Sequence, residues 1–331
     1  MKVLYLDHPE QDFLAYQIYD GLCTLLGEDN VIVYPEKRCY WGAVDDWYIL
    51  DDGKRGYTAP GAYMKKRKRN TWIIEEIKTR LHEIDLFILA SPRTYAINAL
   101  KTIKEFCNPH PLVFMDGEDS DIIRDDIIQQ FRVDFAFKRE LFRNEPGIYP
   151  LPFSSVCYDY PDSSIKDIDV FYSVGWTHPL REKVRDKLVE ATKLKDFNIV
   201  ARCNSKDAMM GYKEYLDCMS RAKINIICRG HGVDTVRAWE AVSFSGLVLS
   251  DRIDLVIPNA FTEGINIDYY DQNNLDHLVD KIVYYLKNDA ERQLIGKQGK
   301  ERLCLYHTSE KRAQYLLDIV DRERKINYGG N

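Results

Sequence analysis

The stretch Tyr215–Arg252, YLDCMSRAKINIICRGHGVDTVRAWEAVSFSGLVLSDR, leaves the chain few ways to fold. It reads as helix, strand, glycine-bearing loop, helix, strand. The apolar run Ile224–Cys228 is bounded by polar residues, as a strand covered on both faces should be. It opens through Arg229-Gly230-His231-Gly232 into a segment of helical character, Asp234–Phe244. In an open α/β sheet, ligands lie beyond the carboxyl ends of the strands, where glycines let backbone approach and helix N-termini attract anions. Here that position carries a guanidinium, an imidazole and two glycines, followed by Arg237 and Glu240. Such a set suits a phosphorylated, sugar-bearing ligand.

The same rhythm runs through the chain. Strands are expected at Val3–Leu6, Val31–Tyr34, Leu86–Ala90, Leu112–Met115, Phe135–Lys138 and Ile148–Leu151, and helices at Phe13–Leu26, Trp72–His82, Ala96–Phe106 and Ile122–Phe131. Gly27 should cap the first of these helices. Beyond the Ser-, Asp-, Tyr- and Pro-rich segment Pro152–Ile168, a second alternation begins with strand Val170–Val174, helix Pro179–Ala191, strand Asn198–Ala201 and helix Lys213–Arg221. It ends in helices at Leu275–Leu286, Ala290–Cys304 and Ser309–Arg324. Alternation of this kind predicts parallel, doubly wound sheets, and 331 residues suffice for two domains. The expected division is 1–155 with an irregular insertion at 36–70, then 156–308, then a terminal helix at 309–331.

Several chemistries find no signature. No apolar run approaches the roughly 20 residues that span a bilayer, and the N-terminus MKVLYLDHPE lacks the form of a signal peptide, so a cytoplasmic chain is expected. The eight cysteines form no CxxC pair and read as buried thiols. No GxGxxG follows the first strand and no GxxxxGK[ST] occurs, which disfavours a nicotinamide-type site and a P-loop hydrolase. The net charge of −6 argues against wholesale nucleic-acid binding. Charge is uneven, however. Lys54-Arg55 and Lys65–Arg69, with Tyr57, Tyr63 and Trp72 interleaved, read either as a solvated loop or as a contact for a lipid surface, a phosphate-bearing glycan or nucleic acid.

Individual side chains suggest roles. A Glu can hold a ribose through paired hydrogen bonds from its hydroxyls, which gives Glu240 a function beyond pairing with Arg237 on the same helix. Arg237 would clamp a diphosphate whose charge grows as it leaves. In the loop Gly175-Trp176-Thr177-His178-Pro179, proline suits a first helical turn, with Thr177 or His178 at the cap, and Arg181 and Lys183 could simply point to solvent. Asp116-Gly117-Glu118-Asp119 ends a strand; crowded carboxylates there would raise one another's pKa and furnish a general base, Asp116 or Glu118, unless Asp119 or Ser120 merely caps a helix. His8, after the first strand, is a second candidate base, and Arg93 and Tyr95 are candidate acceptor contacts with Lys65 and Arg67.

The pattern Arg237-Ala-Trp-Glu240…Gly246-Leu-Val-Leu-Ser resembles the donor-binding half of GT-B glycosyltransferases, and more narrowly the group-1 transferases related to the spore-maturation protein CgeB. The likeness continues through Phe261–Ile267, Leu275–Leu286, Asn288–Arg292 and His307-Thr308 into Arg312. It implies two Rossmann-like domains facing a cleft, with a UDP-, GDP- or dTDP-sugar on the second domain, an acceptor on the first, and a last helix, 309–331, that returns to the first domain. By this resemblance Gly175, Thr177 and His178 approach the diphosphate beside Arg229, His231 and Gly232. No cofactor is implied, and arginines rather than a metal would carry the leaving group. One departure stands out. Retaining enzymes of this type place a second Glu eight residues before the first, where this chain has Gly232, so the stereochemical course is left open. Two alternatives remain: a phage-type enzyme acting on a hydroxylated DNA base, whose binding would weaken steeply with salt, and a non-catalytic nucleotide-sugar-binding protein.

Overall fold

The computed structural model describes residues 1–8, 12–37, 40, 67–194, 197–208, 210–252 and 254–328. Most of the insertion, including Lys54-Arg55 and Lys65, lies outside the described residues. The chain divides into two compact units. Unit 1 comprises Met1–Ser154, Leu255–Pro258 and Thr308–Asn331; unit 2 comprises Ser155–Asp254 and Asn259–His307.

Unit 1 is built on a six-stranded sheet. Its elements in chain order are β1 (Val3–Leu6), α1 (Phe13–Leu26), β2 (Val31–Tyr34), α2 (Ile74–Arg80), β3 (Leu86–Leu89), α3 (Thr94–Lys104), β4 (Leu112–Asp116), α4 (Asp125–Phe131), β5 (Phe135–Lys138) and β6 (Ile148–Pro150). All strands pair in parallel, in the order β2-β1-β3-β4-β5-β6. Strands such as VLYL and LFIL are buried along their whole length because helices cover both faces of a parallel sheet. Leu4, Leu6, Phe87, Leu89 and Phe114 pack against Leu100, Ile103 and Ile127 in one core. Gly27 ends α1 at φ 85°, with its N–H bonded to the Cys23 carbonyl at 3.1 Å. The last helix of the chain, α10 (Ser309–Tyr328), packs on α1 within this unit. Contact is close enough that a Cβ on Gly21 would lie 2.2 Å from the Ser309 carbonyl oxygen. Ser309 Oγ donates to the buried Asp20 carboxylate at 2.7 Å beside this contact.

Two helices of unit 1 are shorter than their periodicity predicts. α2 begins at Ile74, because Trp72 is held outside it with the Arg80 guanidinium 3.9 Å from the ring centroid and Thr71 bridging Val33. α4 begins at Asp125 rather than Ile122, with Asp125 and Asp126 in its first turn, where the helix dipole favours acids. Neither Asp119 nor Ser120 caps it; the Ser120 hydroxyl accepts the Ile122 N–H in a turn at 3.1 Å.

Unit 2 carries a five-stranded sheet. Its elements are β7 (Ile168–Val174), α5 (Pro179–Leu194), β8 (Ile199–Cys203), α6 (Tyr212–Arg221), β9 (Ala222–Ile227), α7 (Val236–Val242), β10 (Leu247–Asp251), β11 (Asp268–Tyr270), α8 (Leu275–Lys287) and α9 (Asp289–Tyr306). The strands are again all parallel, in the order β11-β10-β9-β7-β8. Both sheets therefore reverse strand order beside their first strand: between β1 and β3 in unit 1, and between β7 and β9 in unit 2. Connections leave these neighbouring strands toward opposite faces, opening a crevice at their carboxyl ends.

Candidate functional site

The two loops that flank the β7/β9 crevice are Gly175–His178 and Cys228–Gly232, and one side chain ties them together. Arg181, in the first turn of α5, is buried. Its Nε donates to the Arg229 carbonyl at 2.7 Å, its Nη1 to the Gly175 carbonyl at 2.8 Å and its Nη2 to the Cys228 carbonyl at 3.3 Å. The rigid guanidinium fork suits three carbonyls better than an ammonium would. This corrects the sequence-based option of a solvent-facing Arg181. Burial, and then the nearby Arg237 charge, hold its pKa below the usual arginine value. Gly230 is required by the same contact, since a Cβ there would lie 2.9 Å from Arg181 Nη2 and 3.2 Å from Thr177 Oγ1.

His178 caps α5 through its ring, with Nδ1 accepting the Leu180 N–H at 3.2 Å, which places the neutral ring's proton on Nε2. Burial depresses its pKa, and the charges of Arg229, Arg181, His231 and Lys183 depress it further. Arg229 donates its backbone N–H to Asp251 at 3.0 Å, while its buried Nε has no hydrogen-bond partner among the described residues. His231 is exposed and Gly232 is buried beside it. Burial pushes the Asp251 carboxyl up to about 6.

On α7, Glu240 is buried rather than solvent-facing. Tyr212 donates to its Oε1 at 2.7 Å and Tyr215 to its Oε2 at 3.0 Å. Desolvation still raises its pKa above the usual carboxylate value, against the pull of Tyr212, Arg237 and Tyr215. Arg237 donates its Nε to the Tyr215 hydroxyl at 3.0 Å. The two tyrosines stack at 5.9 Å between centroids, and the buried Cys157 thiol meets Tyr212 Oη at 3.3 Å. The site residues that sequence reasoning passed over in this unit are Arg181 as a clamp and the Tyr212–Tyr215 pair. The i, i+3 tyrosine spacing on an amphipathic helix was the available signal.

In unit 1 the equivalent crevice, between β1 and β3, receives Asp7-His8 from one strand and Ser91–Arg93 from the other. Asp7 is fully buried and accepts from Lys37 Nζ at 2.8 Å, from the Tyr40 hydroxyl, and from the His8 N–H at 2.8 Å. His8 is also buried; its Nε2 lies 3.5 Å from Asp12 Oδ2, and its Nδ1 has no hydrogen-bond partner among the described residues. Asp12, which caps α1 by accepting the Ala15 N–H at 3.0 Å, was not singled out from sequence, although it sits four residues after His8.

The acidic run departs from its expected chemistry. Asp116, Glu118 and Asp119 do not crowd one another, because each faces its own cation. Asp116 pairs with buried Lys138 at 2.9 Å, Glu118 with Arg93 at 3.2 Å, and Asp119 with Arg139. Asp116 also accepts the Glu118 N–H at 3.1 Å. Arg93 is thereby engaged, while Tyr95 is exposed. Arg67 is spent on the fold: it donates to Asp20 Oδ1 from Nε at 3.0 Å and reaches Glu28 from Nη1 at 3.4 Å. A cavity of about 310 Å³ lies beyond β4 and β5, lined by Asp121, Ile123, Leu141, Phe142, Arg143 and Glu145. Among the described residues no group of three or more His, Cys, Asp or Glu is placed to hold a metal ion, and no helix is long and apolar enough to cross a membrane.

Two parallel Rossmann-like sheets, each with its crevice at the strand tips, define the GT-B fold, and solved structures agree. The chain superposes on a glycosyltransferase from Rickettsia africae ESF-5 with a TM-score of 0.63 at 11% identity, over 96% of this chain and 97% of that one. Anabaena Alr3699/HepE in complex with UDP-glucose matches with a TM-score of 0.62 at 9% identity, covering 97% and 100%. An α-glucosyltransferase in complex with UDP-glucose and DNA containing an abasic site matches at 0.58 and 11% identity, covering 96% and 98%. By sequence, residues 181–318 match the family model described as glycosyl transferase-like. No curated protein matches the chain in a sequence search. The matched segment begins at the Arg181 clamp and includes Arg229, Arg237 and Glu240.

Proposed function

We propose that the chain is a glycosyltransferase of the hexosyltransferase kind (EC 2.4), close to the CgeB-related group, that moves a sugar from a nucleoside diphosphate onto an acceptor hydroxyl in the cytoplasm. The observation that carries this reading is the gathering of Arg181, Arg229, Arg237 and His178 around the β7/β9 switch point, two of them with depressed pKa values, next to the buried carboxylate Glu240. Like charges held together in a partly desolvated crevice are stabilised by a bound polyanion. The diphosphate would lie along Gly175–His178 and Arg229–Gly232, and Glu240 would accept from the ribose hydroxyls.

In the transfer, the acceptor oxygen bonds to the anomeric carbon while the bond from that carbon to the diphosphate oxygen breaks, and the nucleoside diphosphate leaves with the electron pair. Arg229 and Arg237 offset the charge that grows on it. For an inverting course the acceptor proton would pass to His8 Nδ1, the buried ring nitrogen with no hydrogen-bond partner among the described residues, with Asp12 holding Nε2–H. Asp116, paired with Lys138, is the poorer base. For a retaining course the leaving phosphate takes the proton. Arg93, Tyr95 and the cavity beyond β4 and β5 are the proposed acceptor side. A DNA acceptor is less favoured, since the described cations of the basic run, Arg67, Lys68 and Arg69, each face a carboxylate: Asp20, Asp29 and Glu36.

Thermal unfolding with UDP, GDP and dTDP, followed by mass-spectrometric donor hydrolysis, tests the proposal. A nucleotide should raise the melting temperature of wild type and not of Glu240→Ala, because only a ligand that binds the native state stabilises it. His8→Gln should keep nucleotide binding and lose turnover if the course inverts. Binding without turnover across all donors would favour the non-catalytic alternative; no response to any nucleotide would sink the reading.

A further inference from the structure

Glu240 and Arg237 do not touch the outside of α7 as independent groups. The Tyr215 hydroxyl stands between them, and its hydrogen-bonding capacity is matched to both: it accepts from Arg237 Nε at 3.0 Å and donates to Glu240 Oε2 at 3.0 Å. Arg237 also lies 5.3 Å from the Tyr215 ring centroid, so the guanidinium is oriented by the face of the ring as well as its edge. Tyr215 is itself fixed, buried at 3% exposure and packed on Phe171 of β7 at 5.7 Å between centroids. Tyr212, one turn earlier on α6, donates to the other oxygen of Glu240 and meets the Cys157 thiol.

We propose that Tyr215 is a positioning residue that joins the ribose-holding carboxylate to the diphosphate-holding guanidinium, so that both ends of a nucleoside diphosphate are read by one hydrogen-bonded unit. The inference rests on the reading of the strand-tip site given above. The unit makes different demands on the two tyrosines. Removing the Tyr215 hydroxyl takes an acceptor from Arg237 Nε and a donor from Glu240 together; removing the Tyr212 hydroxyl takes a donor from Glu240 and a partner from the Cys157 thiol. Glu240 accepts best when ionised, and the groups that face it are Tyr212 and Tyr215 from α6, Arg237 from its own helix, and the Cys157 thiol, which sits against Tyr212. Both hydroxyls favour the carboxylate form, so the loss of either moves its titration to higher pH.

The test is calorimetric binding of UDP and of inorganic pyrophosphate, which has no ribose, to full-length wild type, Tyr215→Phe, Tyr212→Phe, Glu240→Gln and the Tyr215→Phe/Glu240→Gln double variant, from pH 5 to 8. Wild type should lose UDP affinity as pH falls through the Glu240 titration, and that acid limb should move to higher pH in both tyrosine variants. Tyr215→Phe should weaken UDP by about tenfold and weaken pyrophosphate as well, whereas Tyr212→Phe should weaken pyrophosphate clearly less. In the Glu240→Gln background the Tyr215 change should cost UDP clearly less than in wild type. Unchanged UDP affinity in Tyr215→Phe, an unmoved acid limb, or equal effects of the two tyrosines on pyrophosphate would overturn the inference. Wild type that binds neither probe would instead remove the site reading beneath it.

Discussion

The two crevices share a strand order and differ in what they do with charge. At the tips of β1, β3 and β4, every described carboxylate has a cation or a donor of its own: Asp7 with Lys37, Asp116 with Lys138, Glu118 with Arg93. At the tips of β7 and β9, cations collect; burial, and then the neighbouring positive charges, hold the pKa values of Arg181 and His178 down, and Arg229 keeps a buried donor unspent. The first arrangement is closed on itself and rewards folding. The second holds repulsion that an anion would relieve, which is a poor way to build a core and a good way to build a receptor. Asp116, which ends β4, and Arg237, in the first turn of α7 after β9, therefore have opposite expected consequences.

The largest effect should come from the paired side. Asp116→Ala leaves the Lys138 ammonium buried without its partner, and breaking a buried pair this way costs about 3–5 kcal/mol. Urea unfolding should show this as a lower midpoint, and a loss under about 1 kcal/mol would break the comparison. Arg181→Ala comes next and shows that a cation of the receptor side can still be structural. It strands one buried and two part-buried carbonyls, at roughly 1 kcal/mol each, and releases both loops, so stability and nucleotide binding should fall together. Arg181→Lys should rescue little, because one ammonium cannot reproduce the fork. Arg237→Ala should divide the two quantities: UDP affinity down by about 2 kcal/mol, roughly thirtyfold, with a loss of stability well below that of Asp116→Ala. If Arg237→Ala lost stability as Asp116→Ala does and kept UDP affinity, the two crevices would be alike after all.

How far the sequence discloses such a site depends on how far apart its partners lie in the chain. The alternation of apolar runs gives both sheets, because a strand covered on two faces has to be apolar throughout, and Ile224–Ile227 of β9 is buried along its length. The loop Arg229–Gly232 is legible for the same local reason. Arg181 is not. Its acceptors are the carbonyls of Cys228 and Arg229, 47 and 48 residues away, and nothing in LREK says that this arginine turns inward. The acidic run misleads for a related reason. Asp116, Glu118 and Asp119 are neighbours in sequence, whereas Lys138 and Arg139 arrive from β5 and its following loop, 22 and 20 residues on, only once the sheet has formed. Such pairing is a tertiary fact, and it put the two candidate bases, Asp116 and Glu118, and the candidate cap Asp119 each into an ion pair. Arg67 shows the same thing on the basic side, where Asp20 and Glu28 consume a cation that composition assigns to an acceptor.

The smallest expected effect is also the most direct probe of stored repulsion. His178 has a pKa below the free value of 6.5 because its site is desolvated and already positive. A histidine with a depressed folded-state pKa contributes stability that is fully present above the unfolded value and is lost as pH falls through the folded one. Without ligand, then, acidification below about 6.5 should destabilise wild type relative to His178→Gln. A bound diphosphate reverses the local charge, so His178 should take up a proton on binding, and wild type should gain UDP affinity relative to His178→Gln over the same interval. Asp251, held up at about 6, titrates in this range too, but it is present in both proteins and cancels in their difference. The measurement is calorimetric UDP binding to both proteins in buffers of different ionisation enthalpy at pH 6.5, which reads proton uptake directly. Net uptake in wild type that is reduced in His178→Gln, by a fraction of a proton, would mark the crevice as charged in advance for an anion. Equal uptake in the two would mean that the cations there are screened before any ligand arrives, and that the two strand edges differ in composition but not in electrostatic state.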